Sequence, residues 1–356
     1  MFKDYYNVIG VMSGTSLDGI DIAYITFTIA NEKWNYKINL CETIPYDQEW
    51  ITALKNGITS TEKELTTLNQ KYSQYLGKLI AQFISKNKLN NLDAICSHGH
   101  TILHQPQNGF TLQIGNLPEI ATHFTVPFIC DFRVQDVELG GQGAPLVPIG
   151  DELLFSSYTY CLNLGGFSNV SMHENGKRIA FDICPVNTVL NLYAEKLGVP
   201  FDEGGKNAAK GNFNPALFDA LNEVPFYHKE YPKSLGFEFV KDTILPLIEK
   251  YNCTTEDVLH TFTKHIAFQI ANVTKKENST LLLTGGGAYN TFLINEIKKN
   301  APKTHITIPD NKTIEFKEAL IFALLGVLKL RGQINVLASV TGAQKDHSSG
   351  KIFNPN

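Results

Sequence analysis

Small hydroxyl residues, glycines and one carboxylate are concentrated near the start of the chain, in the stretch SGTSLDG at 13–19. Apolar residues precede and follow this stretch, so we expect a strand, a tight turn and a second strand. In such a turn Gly14 and Gly19 allow positive φ or close approach, and backbone N–H groups can point at an anion. Hydroxyl donors are added by Ser13, Thr15 and Ser16. The alternative is an ordinary hairpin turn.

Two further glycine-rich turns follow apolar segments, GGFSN at 165–169 and TGGGAYN at 284–290. Neither matches the GxxxxGK[ST] loop of P-loop NTPases or a strand–GxGxxG–helix dinucleotide fingerprint. Three glycine turns in this order indicate a bound nucleotide. We expect the first two turns to hold its phosphates and the third to lie beside its ribose or base.

Composition limits the class of protein. The chain has 356 residues, 43% hydrophobic and 19% charged, with a net charge of -4. This length favours two domains, and the charge argues against a nucleic-acid partner. No apolar run reaches ~18 residues, and no signal peptide is evident, so we expect a cytoplasmic protein without a membrane partner. Six scattered cysteines without a CxxC pair indicate reduced thiols.

Alternating apolar patterns predict an α/β protein. We expect strands near 8–12, 20–29, 35–44, 92–96, 111–114, 126–130, 158–164 and 280–283. We expect helices within 47–88, 117–124, 187–197 and 317–330. A loop is predicted at 201–213, and the glycine-rich segment 140–145 is a candidate hinge.

With these motifs in place, the chain resembles the anhydro-N-acetylmuramic acid kinase family, within the actin-like ATPase and sugar kinase superfamily. The matching segments span nearly the whole chain: MSGTSLDGID at 12–21, SHGHT at 97–101, QIGN at 113–116, DFR at 131–133, GGQGAPLVP at 140–148, LNLGGFSNVS at 162–171, FD at 181–182, TGGGAYN at 284–290 and VTGA at 340–343.

The resemblance implies a two-lobed actin-like (ribonuclease H-like) α/β fold with mixed sheets and an interlobe ATP cleft. The first lobe would comprise 1–130 and 335–356, and the second 131–334. The implied enzyme uses ATP and Mg²⁺ to hydrolyse the 1,6-anhydro bond of anhydro-N-acetylmuramic acid and to phosphorylate O6. The product would be N-acetylmuramate 6-phosphate, in peptidoglycan recycling. A homodimer is also implied.

The resemblance also assigns roles to residues. Asp182 would be the catalytic base, although an Asp before the helix near Asn187 could instead be its N-cap. Asp18 would hold Mg²⁺, or serve only as an Asx-turn residue. The remaining nucleotide-binding candidates are Ser13, Gly14, Thr15, Ser16 and Gly19 in the first turn, Gly165, Gly166 and Ser168 in the second, and Gly285, Gly286 and Gly287 beside the adenosine.

Four residues are candidates for binding the sugar: His98, Thr101, Arg133 and Glu318. Arg133 could pair with the lactyl carboxylate, or form an ion pair with Asp131 or Asp136. His98 and His100 could bind a metal, but no third ligand is evident and a hydrogen-bonding role is favoured. Glu318 could instead provide favourable charge at a helix start.

Two segments depart from the pattern of the family. Where the family commonly reads GFDTGPGN, this chain has AFDICPVN at 180–187, and where the family reads DFRRRDV it has DFRVQDV at 131–137. The loss of two arginines beside the sugar site motivates one alternative, a related sugar kinase with altered specificity. A non-catalytic ATP-binding regulator is a second alternative.

Overall fold

The computed structural model describes residues 2–355, which form two compact units. The first unit contains the chain up to Leu154 and again from Phe316 onward, and the second spans Phe155–Glu315. The α/β class with mixed sheets is confirmed. In the described part of the chain, no helix is both long and apolar enough to cross a bilayer, and all six cysteines are free thiols.

The strands of the first unit are β1 (Tyr5–Ser13), β2 (Gly19–Ala30), β3 (Lys33–Pro45), β4 (Ala94–Gln105), β5 (Phe110–Ile114), β6 (Phe128–Cys130) and, near the C-terminus, β12 (Lys351–Phe353). Those of the second unit are β7 (Tyr160–Leu164), β8 (Phe167–Glu174), β9 (Lys177–Pro185), β10 (Ser279–Thr284) and β11 (Thr304–Thr307).

The α-helices are α1 (Gln48–Gly57), α2 (Glu62–Lys86), α3 (Val134–Glu138), α4 (Pro148–Leu154), α5 (Asn187–Glu195), α6 (Pro215–Asn222), α7 (Phe237–Phe239), α8 (Leu245–Ile248), α9 (Thr255–Val273), α10 (Thr291–Asn300), α11 (Asn311–Leu330) and α12 (Ala338–Thr341). A π-helical turn, Val240–Ile244, joins α7 to α8. Short 3-10 turns lie at Pro106–Asn108, Pro118–His123, Glu203–Gly205, Ala208–Lys210, Pro225–His228 and Gly286–Tyr289.

The first unit is built on a seven-stranded mixed sheet in the order β12-β6-β4-β1-β2-β3, with β5 paired to β4. Strands β1, β4 and β6 run parallel. Helix α11 packs closely on β1, since a side chain at Gly10 would lie 2.0 Å from the carbonyl oxygen of Ala319. A glycine in the central strand thus brings the apolar helix onto the sheet.

Two expectations for the first unit need correction. The helical region 47–88 is two helices, because Asp47 and Thr61 each cap a helix start; Thr61 and Glu64 form a capping box. The predicted strand at 92–96 continues as β4 to Gln105. Gly99 adopts φ +73 within it, and a bulge in the pairing with β1 lets the strand pass through the SHGH segment.

The second unit contains a five-stranded sheet in the order β11-β10-β7-β8-β9. Strands β11, β10 and β7 are parallel, whereas β8 and β9 complete an antiparallel meander. Helices α5, α6, α9 and α10 cover a core that includes Leu162, Leu283, Phe262, Ile266 and Leu293. The apolar runs of β7 and β10 therefore lie where their sequence predicts, in the buried centre of the sheet.

The boundaries between the units differ from those implied by the resemblance, 130 and 335. Residues 131–154 belong to the first unit, because Asp136 bonds to Gly143 and Thr341 and α3 packs on β5. At the other boundary, α11 is interrupted at Phe316 (φ -109, ψ 17), and its apolar part after that residue packs on the first unit. The helix predicted at 317–330 is therefore the second part of a longer one.

Candidate active site

Three parallel strands of the first unit place the predicted phosphate and sugar residues at one edge of its sheet. Loop 14–18 follows β1, His98 and Thr101 lie on β4, and Arg133 comes soon after β6. The carboxyl ends of parallel strands meet at a common edge, where ligands of open α/β sheets are typically bound. The fold thus gathers residues from three separated motifs.

Loop 14–18 presents polar side chains to solvent. Thr15, Ser16 and Asp18 are exposed, and Ser16 Oγ donates a hydrogen bond of 2.6 Å to Asp18 Oδ1. Positive φ falls on Leu17 (+61), so neither Gly14 nor Gly19 uses the positive φ that glycine allows. Gly19 is instead required by close approach, because a Cβ there would lie 2.5 Å from the carbonyl oxygen of Ile44 on β3.

Ser13 differs from its predicted role as a phosphate ligand. Its side chain is only 2% exposed, and its hydroxyl is hydrogen-bonded to His100 Nδ1 at 2.8 Å and to Tyr46 Oη at 2.6 Å. Tyr46 Oη is bonded in turn to Tyr72 Oη at 2.5 Å. Burial raises the pKa of Tyr72 to about 12 and lowers that of His100 to about 4. This neutral buried chain fixes the residue from which loop 14–18 begins.

Arg133 and His98 form a hydrogen-bonded pair. Arg133 Nε donates to His98 Nε2 at 2.8 Å, and Arg133 Nη1 donates to the carbonyl oxygen of Gly143 at 2.6 Å. Because His98 Nε2 accepts, its Nδ1 carries the proton and donates to the Gly99 oxygen. Burial and the Arg133 charge lower the pKa of His98 well below its usual value. His98 is therefore a neutral residue that orients Arg133.

The guanidinium of Arg133 forms neither of the ion pairs considered as alternatives. Asp131 pairs with Lys351 at 2.6 Å, and Asp136 accepts the Gly143 N–H at 2.7 Å. Burial lowers the pKa of Arg133 to about 10, still far above neutrality. Arg133 Nη2 has no hydrogen-bond partner among the described residues of its unit, so a charged donor remains for an anionic ligand.

Asp136 has a structural role that the sequence did not reveal. It is fully buried, and besides the Gly143 N–H its carboxylate accepts the hydroxyl of Thr341 at 2.7 Å. It thereby joins the GGQGAP segment to the VTGA segment near the C-terminus. The predicted hinge at 140–145 is tethered within the first unit, and only the long-range contact with Thr341 could have revealed this.

Thr101 and Glu318 complete the sugar candidates. Thr101 is half-buried on β4 and accepts a 3.3 Å hydrogen bond from Gln113. Glu318 is exposed on α11, one turn before Phe322, whose ring packs 4.6 Å from that of His98. Although solvent reaches Glu318, desolvation by the atoms around it raises its pKa, whereas the Arg133 charge opposes this rise. Because α11 is interrupted at Phe316, Glu318 lies in the first turn of its second part, so the alternative of favourable charge at a helix start stays open.

In the second unit, two glycine turns lie side by side at the carboxyl ends of parallel β7 and β10. Gly165 and Gly166 follow β7, and their carbonyl oxygens accept the N–H groups that open α5. Gly285 adopts φ +83, and a Cβ there would lie 2.5 Å from Asn163 Oδ1. The glycines of the third turn thus allow it to pack against β7. At Gly286, in contrast, a Cβ would meet its nearest neighbour, Asn187 Nδ2, only at 3.8 Å.

Ser168 is buried, whereas the prediction has it facing the phosphates from the second turn. The strand β8 already begins at Phe167, and Ser168 is fully buried within it. Its hydroxyl donates to the Cys184 carbonyl at 3.1 Å and accepts the Cys184 N–H at 3.2 Å. This side chain bridges an irregularity in the pairing of β8 with β9, so it is not available to a nucleotide in this structure.

Asp182 lies inside β9, not beyond its end, and the N-cap position of α5 is Val186. The N-cap alternative is therefore excluded. Asp182 is half-buried, and its Oδ2 accepts the Leu235 N–H at 2.7 Å. Burial raises the pKa of this carboxyl, and the hydrogen bond opposes the rise. Within the described residues of its unit, Oδ1 has no hydrogen-bond partner, which suits a carboxylate that must accept a proton.

Comparison with known proteins identifies the family. The model of the anhydro-N-acetylmuramic acid kinase family matches residues 6–355. The chain belongs to this family.

Curated members of the family align over nearly the full length of the chain. The anhydro-N-acetylmuramic acid kinase of Haemophilus influenzae is 33% identical and covers 99% of this chain and 98% of its own. That of Actinobacillus pleuropneumoniae is 34% identical over 99% of this chain and 100% of its own. That of Vibrio parahaemolyticus is 31% identical, with 100% coverage of both. The predicted family and the kinase class, transfer to an alcohol group, are confirmed.

The structure also shows how this member of the anhydro-N-acetylmuramic acid kinase family accommodates its altered segment at 180–187. Cys184 lies in β9, and Val186 precedes α5 at negative φ; both are fully buried. Burial raises the pKa of the Cys184 thiol to about 12, so it remains neutral. Neither position uses the backbone freedom of glycine, and the two side chains instead fill the core beside Asp182.

The described residues of this kinase do not cluster into a metal site made by protein side chains alone. No group of three or more His, Cys, Asp or Glu in residues 2–355 could hold a metal ion. Asp18 nevertheless offers an exposed carboxylate in the first turn, with one oxygen occupied by Ser16. Mg²⁺ commonly keeps several waters and is held by one carboxylate together with substrate phosphates. Asp18 therefore fits the role predicted for it, with the phosphates as the main ligands.

Proposed function

We propose that this kinase hydrolyses the 1,6-anhydro bond of 1,6-anhydro-N-acetylmuramic acid and phosphorylates O6, producing N-acetylmuramate 6-phosphate and ADP. Water oxygen forms a bond to C1 as the C1–O6 bond breaks. O6 forms a bond to the γ-phosphorus as the bond between the γ-phosphorus and the β,γ-bridging oxygen of ATP breaks. The proton of the water passes to a carboxylate. Water, ATP and the anhydro sugar thus account for all atoms of both products.

The observation that carries this proposal is the state of Asp182. Its carboxylate is held by one backbone N–H on Oδ2, while Oδ1 is without a partner in its unit. Partial burial raises its pKa, which makes the carboxylate a stronger base than an ordinary aspartate. Asp182 Oδ1 would accept the proton of the attacking water.

The first unit would bind the phosphates through loop 14–18. Gly14, Thr15 and Ser16 supply backbone N–H groups and two exposed hydroxyls. Asp18 would hold Mg²⁺ through water, and the cation would neutralise charge that develops on the phosphates. Ser13 and Gly19 would act indirectly, by fixing the two ends of the loop.

The second unit would contact the nucleotide through backbone surfaces. Gly165 and Gly166 present a turn without side chains, and Gly285, Gly286 and Gly287 present a second such turn. Because phosphoryl transfer depends mainly on positioning and electrostatics, closely packed backbone turns are suitable contacts. Ser168 would contribute only to the local structure of the sheet.

The sugar would bind at the carboxyl edge of the first unit. Arg133 Nη2 would donate to the lactyl carboxylate, with His98 holding the guanidinium in place. Thr101 and Glu318 would contact hydroxyl or amide groups of the sugar. We propose a cytoplasmic location, because the reaction consumes ATP. The resemblance implies a homodimer, which light scattering would test.

A related sugar kinase is the second candidate, because Val134 and Gln135 stand where the family carries arginines and Arg133 already has two protein partners. ADP release would be measured with Mg-ATP and either anhydro-N-acetylmuramic acid, N-acetylmuramic acid or N-acetylglucosamine. Turnover with the anhydro sugar alone, giving a 6-phosphate, supports the proposal. Turnover only with a non-anhydro sugar would replace it by the second candidate.

A further inference from the structure

The carboxylate of Asp182 is held by a segment that has no catalytic motif of its own. Residues 231–235 lie along β9, which is the edge strand of the five-stranded sheet. Asp182 N donates to the Lys233 carbonyl at 3.0 Å, and Leu235 N donates to Asp182 Oδ2 at 2.7 Å. The segment therefore bonds to both the backbone and the carboxylate of the same residue.

Aromatic residues anchor this segment to the strand. The Tyr231 ring stacks on Phe181 at 5.8 Å between centroids, with an angle of 14° between the rings. The Lys233 ammonium lies 4.9 Å from the centroid of Phe226 and 5.9 Å from that of Phe181. Phe181 thus contacts both halves of the segment.

The pleat of β9 separates the anchor from the carboxylate. Successive side chains of a strand point to opposite faces, so Phe181 and Asp182 lie on different faces. Phe181 lines a cavity of about 710 Å³ together with Tyr231 and Lys233. The contacts of Tyr231 and Lys233 with Phe181 fix the path of the main chain that brings the Leu235 N–H to Asp182.

We propose that Lys233 and Leu235 are positioning residues for catalysis, which hold the Asp182 carboxylate with Oδ2 fixed and Oδ1 directed to the water. The inference rests on the proposed function, in which Asp182 is the base. Lys233 anchors the segment through its cation, and Leu235 acts through its backbone N–H. Neither residue touches the reacting atoms.

Several titratable groups lie around Asp182 and the segment 231–235, and a pH test of Asp182 must take them into account. They are Cys184 on β9, Glu174 on β8, Lys233 and Tyr231 on the segment and Tyr227 in the turn before it. The pKa of Asp182 is raised by burial and lowered by the Leu235 hydrogen bond. Loss of that bond must therefore raise the pKa further and protonate the base at a higher pH.

The test compares two pairs of variants in the full-length enzyme. Lys233→Met removes the cation but retains an apolar stem. Lys229→Met is its control, because Lys229 lines the same cavity but bonds to Phe226 through its backbone N–H rather than through its ammonium. Leu235→Pro removes the N–H, and Ser234→Pro is its control at an exposed neighbour. Thermal unfolding verifies that each variant is folded.

We expect Lys233→Met to lower kcat about 10-fold, because a misplaced base loses part of its contribution. Its KM for ATP should stay within about twofold. The acidic limb of the pH profile should move up by roughly 0.5–1 unit in both Lys233→Met and Leu235→Pro. Lys233→Arg should restore activity, because the cation over the rings is retained.

Equal kcat values and acidic limbs for Lys233→Met and Lys229→Met would overturn the inference, even if Leu235→Pro fails to fold. Identical pH profiles for Leu235→Pro and for its control Ser234→Pro would also overturn the inference. Asp182→Asn separates this failure from that of the proposed function: an active Asp182→Asn enzyme refutes the role of Asp182 itself, whereas an inactive one leaves only the positioning role refuted.

Discussion

The glycine turns of the two units resemble each other in sequence but differ in what they expose. Loop 14–18 of the first unit presents Thr15, Ser16 and Asp18 to solvent. The turns of the second unit present backbone, because Ser168 is buried in β8 and Gly285 is packed against β7. The first region therefore can supply side-chain chemistry, whereas the second can supply only a closely fitting surface.

The largest expected effect is on the stability of the second unit. Gly285→Ala places a methyl group 2.5 Å from Asn163 Oδ1 at φ +83, which should cost about 2–3 kcal/mol of unfolding free energy. Gly286→Ala is the matched control, since its nearest neighbour is 3.8 Å away. Urea unfolding measures both. Equal losses for the two variants would show that the backbone fit of this turn is unimportant.

The next effect concerns the chemistry of the first region. Asp18→Asn removes an exposed carboxylate, so the unfolding free energy should be unchanged while the Mg²⁺ concentration for half-maximal activity rises about 10- to 100-fold. Asp4→Asn, at another exposed aspartate of the same unit, is the control. The Mg²⁺ concentration for half-maximal activity is measured for both variants. Identical curves would show that Asp18 does not hold the cation.

A crossed pair of serine variants sharpens the contrast between the regions. Ser168→Ala leaves the buried N–H of Cys184 without its acceptor and should lower stability by about 1–3 kcal/mol, with ATP affinity unchanged. Ser16→Ala should do the reverse, weakening ATP binding a few-fold without loss of stability. Calorimetric binding and urea unfolding measure the two properties. Weaker ATP binding by Ser168→Ala would contradict the buried position assigned to it.

The smallest effect is on the pH dependence of the sugar reaction. Asp182 must be ionised to act as a base, and burial raises its pKa. Activity should therefore fall on acidification through a pKa above that of an ordinary aspartate. The lowered pKa of His98 keeps it neutral, so no second step is expected near pH 6.5. A profile of kcat/KM from acid to neutral pH that instead shows a step near 6.5 would assign the titration to a histidine.

Residue types and spacing were sufficient to find the exposed groups of the site but not the direction of every side chain. Thr15, Ser16 and Asp18 lie in a turn and are exposed as expected. Ser13 and Ser168 lie on strands, and which face each occupies depends on irregularities in pairing, after Val11 in β1 and at Ser168 in β8. A local motif does not specify such register shifts.

Long-range contacts account for the other differences. Asp136 accepts a hydrogen bond from Thr341, which is distant in sequence. The donor to Asp182 is the backbone N–H of Leu235, and a leucine in the sequence does not indicate such a contact. The positions of eight strands and of the glycine turns along the chain were predictable, because apolar runs and glycines mark them locally, whereas β8, β9, β11 and β12 were not predicted. The partners that hold Arg133 and Asp182 were not, because they depend on how distant segments pack.

The central claim is that Asp182 accepts the proton of the attacking water, while loop 14–18 and the glycine turns bind the phosphates. Single-turnover formation of the 6-phosphosugar by Asp182→Asn, measured together with its affinity for Mg-ATP, tests this most directly. We predict a rate at least about 100-fold below that of the unmodified enzyme, with nucleotide affinity within about twofold. A rate close to that of the unmodified enzyme, or a parallel loss of Mg-ATP binding, would contradict the claim.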